Sequence, residues 1–402
     1  MSESVSHIRF VVPRFPDTSG GATVVENLTT AFRQRGITVD VVSIYPGSKN
    51  QEGASPTGAD DVVTVLERED LHRYPVSISY GPLRAAPLAL FKRWDRWRRL
   101  SALRRTMATL PANSVVIYTH VLGKMMVDES GFERSPTGPL FVGQHHSSFA
   151  SLDDEPWLRE ALPKHFADCD AFVALSDEDA ASFGSLLDVP CVAIPNPAPE
   201  GRTLTTQLAK RAVALARFSH EKQIPLMVRL FAAAITVPEA DGWSLAIYGD
   251  GVERPQVAEA VERSGMSTRI ELAGVVDDSA TALSDASLNL LTSSLEGFPM
   301  TILEAACSAV PSIAFDCSAG VRSQLENEAG YLVHSQNEDA YVAALRGAML
   351  DDIERRRRGE NARARAERYA PSRIVDDWLA LTEGSRRPHR ATTVVSAPQL
   401  RS

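Results

Sequence analysis

The sequence predicts an α/β protein made of two doubly wound parallel sheets facing each other across a cleft. Three observations carry that prediction. Short apolar runs of strand length alternate with helical patterns along most of the chain. The alternation breaks at the proline-rich stretch "PNPAPEGRTLTTQLAKR" (195–211) and then restarts. The length, 402 residues, exceeds what one hydrophobic core ordinarily serves.

The first strand is the apolar run "IRFVV" (8–12), followed by the loop "PRFPDTSGG". A helical pattern over 22–35 stops at Gly36, and "ITVDVVSIY" reads as the next strand. Strand, loop, helix, strand is a parallel βαβ unit. "SVVIYTHV" (114–121), "PLFVGQ" (139–144), "AFVALS" (171–176) and "CVAIP" (191–195) continue the sheet. After "AFVALS" comes a helix start, with Ser176 as N-cap and acids in the first turn. Beyond the linker, "AVALARF", a helix over 225–234, "WSLAIYGDG", "RIELAGVV", "LNLLTSS", a helix through Glu304 and "PSIAFD" repeat the rhythm. These strands are apolar on both sides, as strands covered by helices on two faces are. A short amphipathic helix follows Pro371, and 385–402 lacks periodicity and is expected to be a disordered tail.

The apolar fraction of 44% and charged fraction of 23% are those of a soluble globular chain. A formal charge of −9 argues against general affinity for nucleic acid. The four cysteines, at 169, 191, 307 and 317, form no CxxC pair and no metal-ligand spacing, so reduced thiols are expected. The stretch "MSESVSHIRFVVPRF" lacks a basic n-region, and no run approaches the roughly 20 apolar residues of a membrane span. The expected location is the cytoplasm, with contact to the inner face of the plasma membrane left open.

Sheets of this kind bind ligands beyond the carboxyl ends of their strands, so residues there are the candidates for chemistry. Gly20 and Gly21 fall between the first strand and its helix, without the pattern of a dinucleotide fingerprint or a Walker loop. Gly249, in "YGDGVER", suits a tight turn lining the cleft. Arg217 and Lys222, in "ARFSHEK", place a guanidinium fork and a point charge where a diphosphate could be gripped; the bland alternative is a solvated loop. His146 and its neighbour His145 end a strand, where an imidazole can bond a sugar hydroxyl or move a proton.

"SSLEGFPMTILEA" (293–305) holds Glu296 and Glu304 eight positions apart. Its glycine and proline end the strand, and the helix start at Phe298, Pro299, Met300 and Thr301 would turn free N–H groups into the cleft. An acid beside bound phosphate is tolerated if it accepts from hydroxyls, which suggests a sugar or ribose. Against this stand a dipole-stabilised first-turn acid for Glu304 and a solvated loop acid for Glu296.

Taken in this order, the pieces resemble the retaining GT-B glycosyltransferases of family 4, over about residues 8–381. "EGFPMTILEA" looks like that family's E-x7-E motif, and "GGA", "ARFSHEK", "YGDG", "LAGVVDD" and "AGYLV" support it in order. The resemblance implies an acceptor-side domain over 1–196, a nucleotide-sugar domain over 197–370 and a helix over 371–384 that crosses back. It also implies Arg217 and Lys222 on the donor diphosphate, Glu304 on the ribose, and Glu296 with the amides after it on the donor sugar. Gly20 and Gly21 would approach the sugar phosphate, His146 before His145 the transferred sugar, and Val275 and Val276 the base. The implied co-substrate is a nucleotide sugar, a UDP-sugar first, with no further cofactor and no metal. The acceptor would be a polymer, a lipid-linked or a small molecule. Ala216 and Ala309 stand where relatives carry glycine, and Val321 where they carry proline.

The "DCD" at 168–170 and "DED" at 177–179 match the D-x-D of metal-dependent sugar transferases, but one precedes a strand and the other is a helix first turn, so solvated acids are expected. In 89–107, Trp94, Trp97, Leu100 and Leu103 recur every three residues among Lys92, Arg93, Arg96, Arg99, Arg104 and Arg105. This basic amphipathic helix suits either an anionic membrane or the outside of the sheet. Two rival functions remain, a nucleotide-sugar epimerase of the same fold and a non-catalytic nucleotide-sugar binder.

Overall fold

A computed structural model describes residues 5–17, 20–47, 62–64 and 82–385; of the tail expected over 385–402, Ser385 ends the last helix and 386–402 lie outside the described residues. The first sheet holds β1 (His7–Phe15), β2 (Thr38–Pro46), β3 (Val62–Thr64), β4 (Ser114–Tyr118), β5 (Leu140–Gln144), β6 (Ala171–Ala174) and β7 (Cys191–Ala193). Its order is β3-β2-β1-β4-β5-β6-β7. The second sheet holds β8 (Arg211–Leu215), β9 (Ser244–Tyr248), β10 (Ile270–Gly274), β11 (Leu288–Leu291), β12 (Ser312–Phe315) and β13 (Gly330–Val333), in the order β10-β9-β8-β11-β12-β13. The described strand pairs are parallel. Chain direction across each sheet reverses beside its first strand, β1 against β4 and β8 against β11, which opens a crevice at their carboxyl ends.

Helices cover both faces, which is why strands such as β4 and β11 are buried throughout. The first helix, α1 (Gly20–Gln34), begins at Gly20, so the glycine pair forms its first turn instead of a loop before it. Gly36, at φ 76°, ends it. α2 (Pro82–Ala108) is longer than the 89–107 pattern that announced it. α3 (Val121–Glu129), α4 (Ser151–Asp154), α5 (Pro156–Phe166) and α6 (Asp177–Gly184) complete the first half, and Ser176 caps α6 as expected by accepting from the Asp179 amide.

The period-three stripe on α2 does not stay on one face. A helix advances about 100° per residue, so such a stripe slips about 60° per step and wraps half way round in three. Leu100, Leu103 and Met107 are therefore buried in the first domain, while Trp94 and Trp97 are 53% and 66% exposed. Arg96 and Arg99 turn to Glu129 and Asp95, whereas Arg93, Arg98, Arg104 and Arg105 face outward with the tryptophans. The side chain of Lys92 lies outside the described residues.

The second half adds α7 (Ile224–Ala234), α8 (Arg254–Ser264), α9 (Ser279–Leu283), α10 (Met300–Cys307), α11 (Ala319–Leu325), α12 (Glu338–Leu350) and α13 (Asp352–Ala366). The last helix, α14 (Pro371–Ser385), returns to pack on α1, with Ile374, Val375 and Trp378 buried beside Phe10 and Phe32. The two D-x-D stretches are not solvated throughout. Asp170, its side chain 5% exposed, pairs with Arg134 at 2.6 Å and accepts from the Phe141 amide; Asp179 is buried and accepts from the Phe149 amide. Both lock loops of the first domain, and groups of three or more His, Cys, Asp or Glu placed to hold a metal are absent among the described residues.

Candidate active site

The loop leaving β8 and the loop leaving β11 are zipped together. The Ser294 amide donates to the Glu221 carbonyl (2.8 Å), and Thr292 Oγ1 donates to the carbonyls of Lys222 (3.1 Å) and Gln223 (3.2 Å). Gln223 takes a left-handed conformation, φ 50°, that turns the chain from this loop into α7. The zipper brings Lys222 Nζ to Glu296 Oε1 at 2.6 Å, and Ser293 Oγ donates to the same oxygen at 2.6 Å. Glu296 Oε2 takes no hydrogen bond from the described residues, which leaves it open to a ligand hydroxyl. Glu296 is 8% exposed, so the solvated-loop alternative does not hold for it. Arg217 is 69% exposed at its side chain and meets Glu221 at 3.3 Å. Of the two cations, Lys222 is thus built into the site, while Arg217 stands at its edge.

The first domain meets this centre through backbone. A Cβ on Gly297 would lie 2.7 Å from the His146 carbonyl oxygen and 2.8 Å from Ser147 Cα, and one on Gly320 would lie 1.9 Å from the Gly297 carbonyl oxygen. Only glycine permits this three-layer stack of Gly320, Gly297 and the chain after β5. Asn196 Nδ2 donates to the Phe298 carbonyl at 3.0 Å. Gly20 sits against Met300, whose Cγ lies 3.9 Å from where a Cβ would be, and beside Gly21 the space is open. Glu296, Lys222, the start of α10, Gly20, Gly21 and His146 therefore converge where the two domains touch.

Pro299 is the N-cap residue of α10, and among the described residues the amides of Met300 and Thr301 in its first turn find no backbone acceptor outside the helix. The side chains of Phe298 and Met300 do not face a ligand. Both are buried in the first-domain core, Phe298 edge-on to Tyr369 at 5.2 Å, so this segment offers its backbone and uses those side chains as anchors. Thr301 Oγ1 is buried without a hydrogen-bond partner among the described residues.

His145 is turned inward, its Nε2 3.0 Å from Ser151 Oγ and its ring against Phe183. His146 lies at the domain contact with both ring nitrogens buried. Burial, reinforced by His120, depresses both, to about 3 for His145 and about 4 for His146, where Asn196 acts in the opposite sense. Both rings are neutral at pH 7, able to donate or accept a hydrogen bond but not to serve as charged acids.

Glu304 is the fifth residue of α10, past its first turn, so the dipole-stabilised alternative fails. It is 9% exposed, and burial raises its pKa while Arg202 and then Ser279 pull it down. Gly249, at φ 140°, has a structural duty: a Cβ there would meet the Ala216 carbonyl oxygen at 1.9 Å. Val275 is 63% exposed just past β10, and Val276 follows it half-buried. Ala309 adopts φ 60°, which explains why glycine suits that position.

Sequence reasoning missed Asn196, Arg202 and His120, whose partners at the site are remote in sequence, so spacing gave no signal; the prolines flanking Asn196 were a local cue.

Solved structures define the class. A mutant of Staphylococcus aureus TarM bound to fondaparinux, alpha-GlcNAc-glycerol and UDP superposes with a TM-score of 0.71 at 14% identity, covering 93% of this chain and 99% of that one. The pneumococcal O-GlcNAc transferase GtfA with UDP and GlcNAc gives 0.72 at 15% identity, covering 94% and 99%. The fold is GT-B, two facing Rossmann-like domains.

Within it, residues 207–365 match the family described as Glycosyl transferases group 1. Over 192 residues the chain is 32% identical to an exopolysaccharide phosphotransferase of Streptomyces coelicolor, covering 47% of this chain and 20% of that protein. Over 170 residues it is 26% identical to the poly(glycerol-phosphate) alpha-glucosyltransferase of Bacillus subtilis, covering 42% and 25%. The chain spans no more than 25% of the length of these two curated relatives.

Proposed function

We propose that the chain is a retaining glycosyltransferase that moves a sugar from a nucleoside-diphosphate donor, a UDP-sugar, to an acceptor hydroxyl in the synthesis of a cell-surface polymer or glycolipid. The observation that carries this reading is the Lys222–Glu296 pair, held at 2.6 Å where both strand-exit loops meet the first domain. The family match over 207–365 and the relatives that act on glycerol-phosphate and ribitol-phosphate polymers favour transfer over epimerisation.

In this reading the diphosphate lies at Lys222, Arg217 and the first-turn amides of α10, with Gly20 and Gly21 at the sugar phosphate. Glu296 accepts from hydroxyls of the donor sugar, Glu304 from those of the ribose, and neutral His146 bonds the transferred sugar. Val275 and Val276 border the base. The bond from the anomeric carbon to the leaving phosphate oxygen breaks as the acceptor oxygen bonds that carbon on the same face. The acceptor proton passes to the departing phosphate oxygen, whose charge Lys222 and Arg217 stabilise without a metal or further cofactor. A nucleophilic side chain is not needed in this reading, and the Ser151–His145 contact is turned inward, away from the crevice.

The acceptor would be polymeric, lipid-linked or small. The outward face of α2, with Trp94, Trp97 and four arginines, is proposed to rest on anionic lipid at the inner face of the plasma membrane, a contact that vesicle binding tests. No described helix is long and apolar enough to cross a membrane.

Lys222→Ala and Glu296→Gln, assayed for UDP release from UDP-sugars, are expected to lower kcat roughly 100- to 1,000-fold, as loss of one preorganised charge at a reacting centre does. Full activity in both variants removes this site from the reaction.

A further inference from the structure

Glu304 poses a problem of charge. It sits past the first turn of α10, next to Ala305, which is fully buried in an apolar cluster with Val213, Leu283, Ala286 and Val310. A buried carboxylate in such a place tends to take up a proton, and as a neutral acid it would bind ribose hydroxyls weakly. The nearest cation comes from the linker. Arg202, its side chain 13% exposed, forks so that Nη1 meets Asp278 Oδ1 at 2.7 Å and Nη2 meets Ser279 Oγ at 2.9 Å, with Nη2 3.9 Å from Glu304 Oε1. Asp278 is itself fixed as the N-cap of α9, accepting from the Ala280 amide at 2.9 Å.

The distances carry the argument. At 3.9 Å the guanidinium supplies positive charge to Glu304 without forming a hydrogen bond to it. The two hydrogen bonds it makes go instead to Asp278 and Ser279. The carboxylate accepts from the Ser279 hydroxyl and keeps its remaining lone pairs for a ligand, whereas an arginine bonded directly would occupy more of them. We propose that Arg202 is a positioning residue for the nucleotide subsite: anchored by Asp278 and Ser279, it holds Glu304 charged and free to accept from the ribose hydroxyls of the donor. The proposal rests on the reading of Glu304 as the ribose ligand. Burial raises the carboxyl, and Arg202 is the largest influence opposing it, followed by Ser279, with Asp278 acting the other way. Cys307 is a further titratable neighbour, its thiol pushed up to about 11 by burial and therefore neutral, with Glu367 and Arg363 beyond it.

The test compares UDP with 2′-deoxyuridine diphosphate by titration calorimetry on the full chain. Wild type is expected to prefer UDP by about tenfold or more, the worth of a hydrogen bond to a charged acceptor. Arg202→Gln is expected to erase most of that preference by weakening UDP while leaving the deoxy nucleotide within about twofold. Arg202→Lys retains part of the preference, and Asp278→Asn, which keeps the cap but releases the anchor, lowers it. Thermal melting confirms that each variant is folded. Equal weakening of both nucleotides in Arg202→Gln reduces Arg202 to a structural role and overturns the proposal, as does an undiminished preference. A wild type that binds UDP without preference removes Glu304 from the ribose and this proposal with it, leaving the transferase reading standing. A wild type that binds no UDP overturns the donor assignment itself.

Discussion

His145 and His146 show how burial decides what a residue can do. Their protonation is suppressed to about 3 and about 4 by removal from water, so neither carries charge in the neutral range. The unfolded chain binds a proton on each near pH 6.5 while the folded chain does not, so stability rises with pH between about 4 and 6.5 and is lost as pH falls through that window. At about 1.4 kcal/mol per unit, the penalty near pH 4 is on the order of 3 kcal/mol per ring. Urea unfolding followed from pH 7 to 4.5 is expected to show that loss, with a shallower slope in His146→Asn; an unchanged slope would place the acid sensitivity elsewhere. The activity profile should likewise lack a step near pH 6.5 from either ring. At this scale the sequence named Glu296, Lys222 and His146 but not the geometry joining them. Lys222 pairs directly with Glu296, and Glu304 answers to Arg202, a linker residue that no spacing rule connects to it.

Among the elements, α2 and α10 divide their faces in ways their sequences half announced. α2 buries Leu100, Leu103 and Met107 and leaves Trp94, Trp97, Arg93, Arg98, Arg104 and Arg105 outward, on a chain whose formal charge is −9. Tryptophan at the centre of an arginine-rich face suits the headgroup region of an anionic bilayer. Vesicles containing phosphatidylglycerol should sediment the protein, phosphatidylcholine vesicles should not, and Trp94→Ala with Trp97→Ala should weaken binding about tenfold or more; equal binding to both vesicle types would sink the membrane contact. The segment entering α10 sends Phe298 and Met300 into the first domain while the helix's first-turn amides stay at the crevice. The apolar composition of that segment was legible, but which core it belonged to was not. Periodicity reports that a face is buried and says nothing of what buries it.

For the whole molecule, the chain leaves the first domain near Asn196, builds the second, and returns as α14. That return buries Ile374, Val375 and Trp378 in the first core, where each apolar side chain contributes roughly 1.5–3 kcal/mol. Together they approach the whole stability of a domain, about 5–15 kcal/mol. A chain ending at Ala370 is therefore expected to be insoluble or to melt well below the full chain; an unaltered melting temperature would show α14 to be dispensable.

By itself the sequence determined the two doubly wound sheets, the carboxyl-end loops that hold the candidate residues, and the E-x7-E stretch among them. Those features are local, because strand and helix periods and turn residues are written in neighbouring positions. Only the tertiary structure decided that Gly297 stacks between Gly320 and the chain after β5, that Arg202 reaches Glu304, and that α14 closes the first core. These depend on contacts between residues far apart in the chain, whose pairing follows from how the two sheets pack and not from any pattern within either.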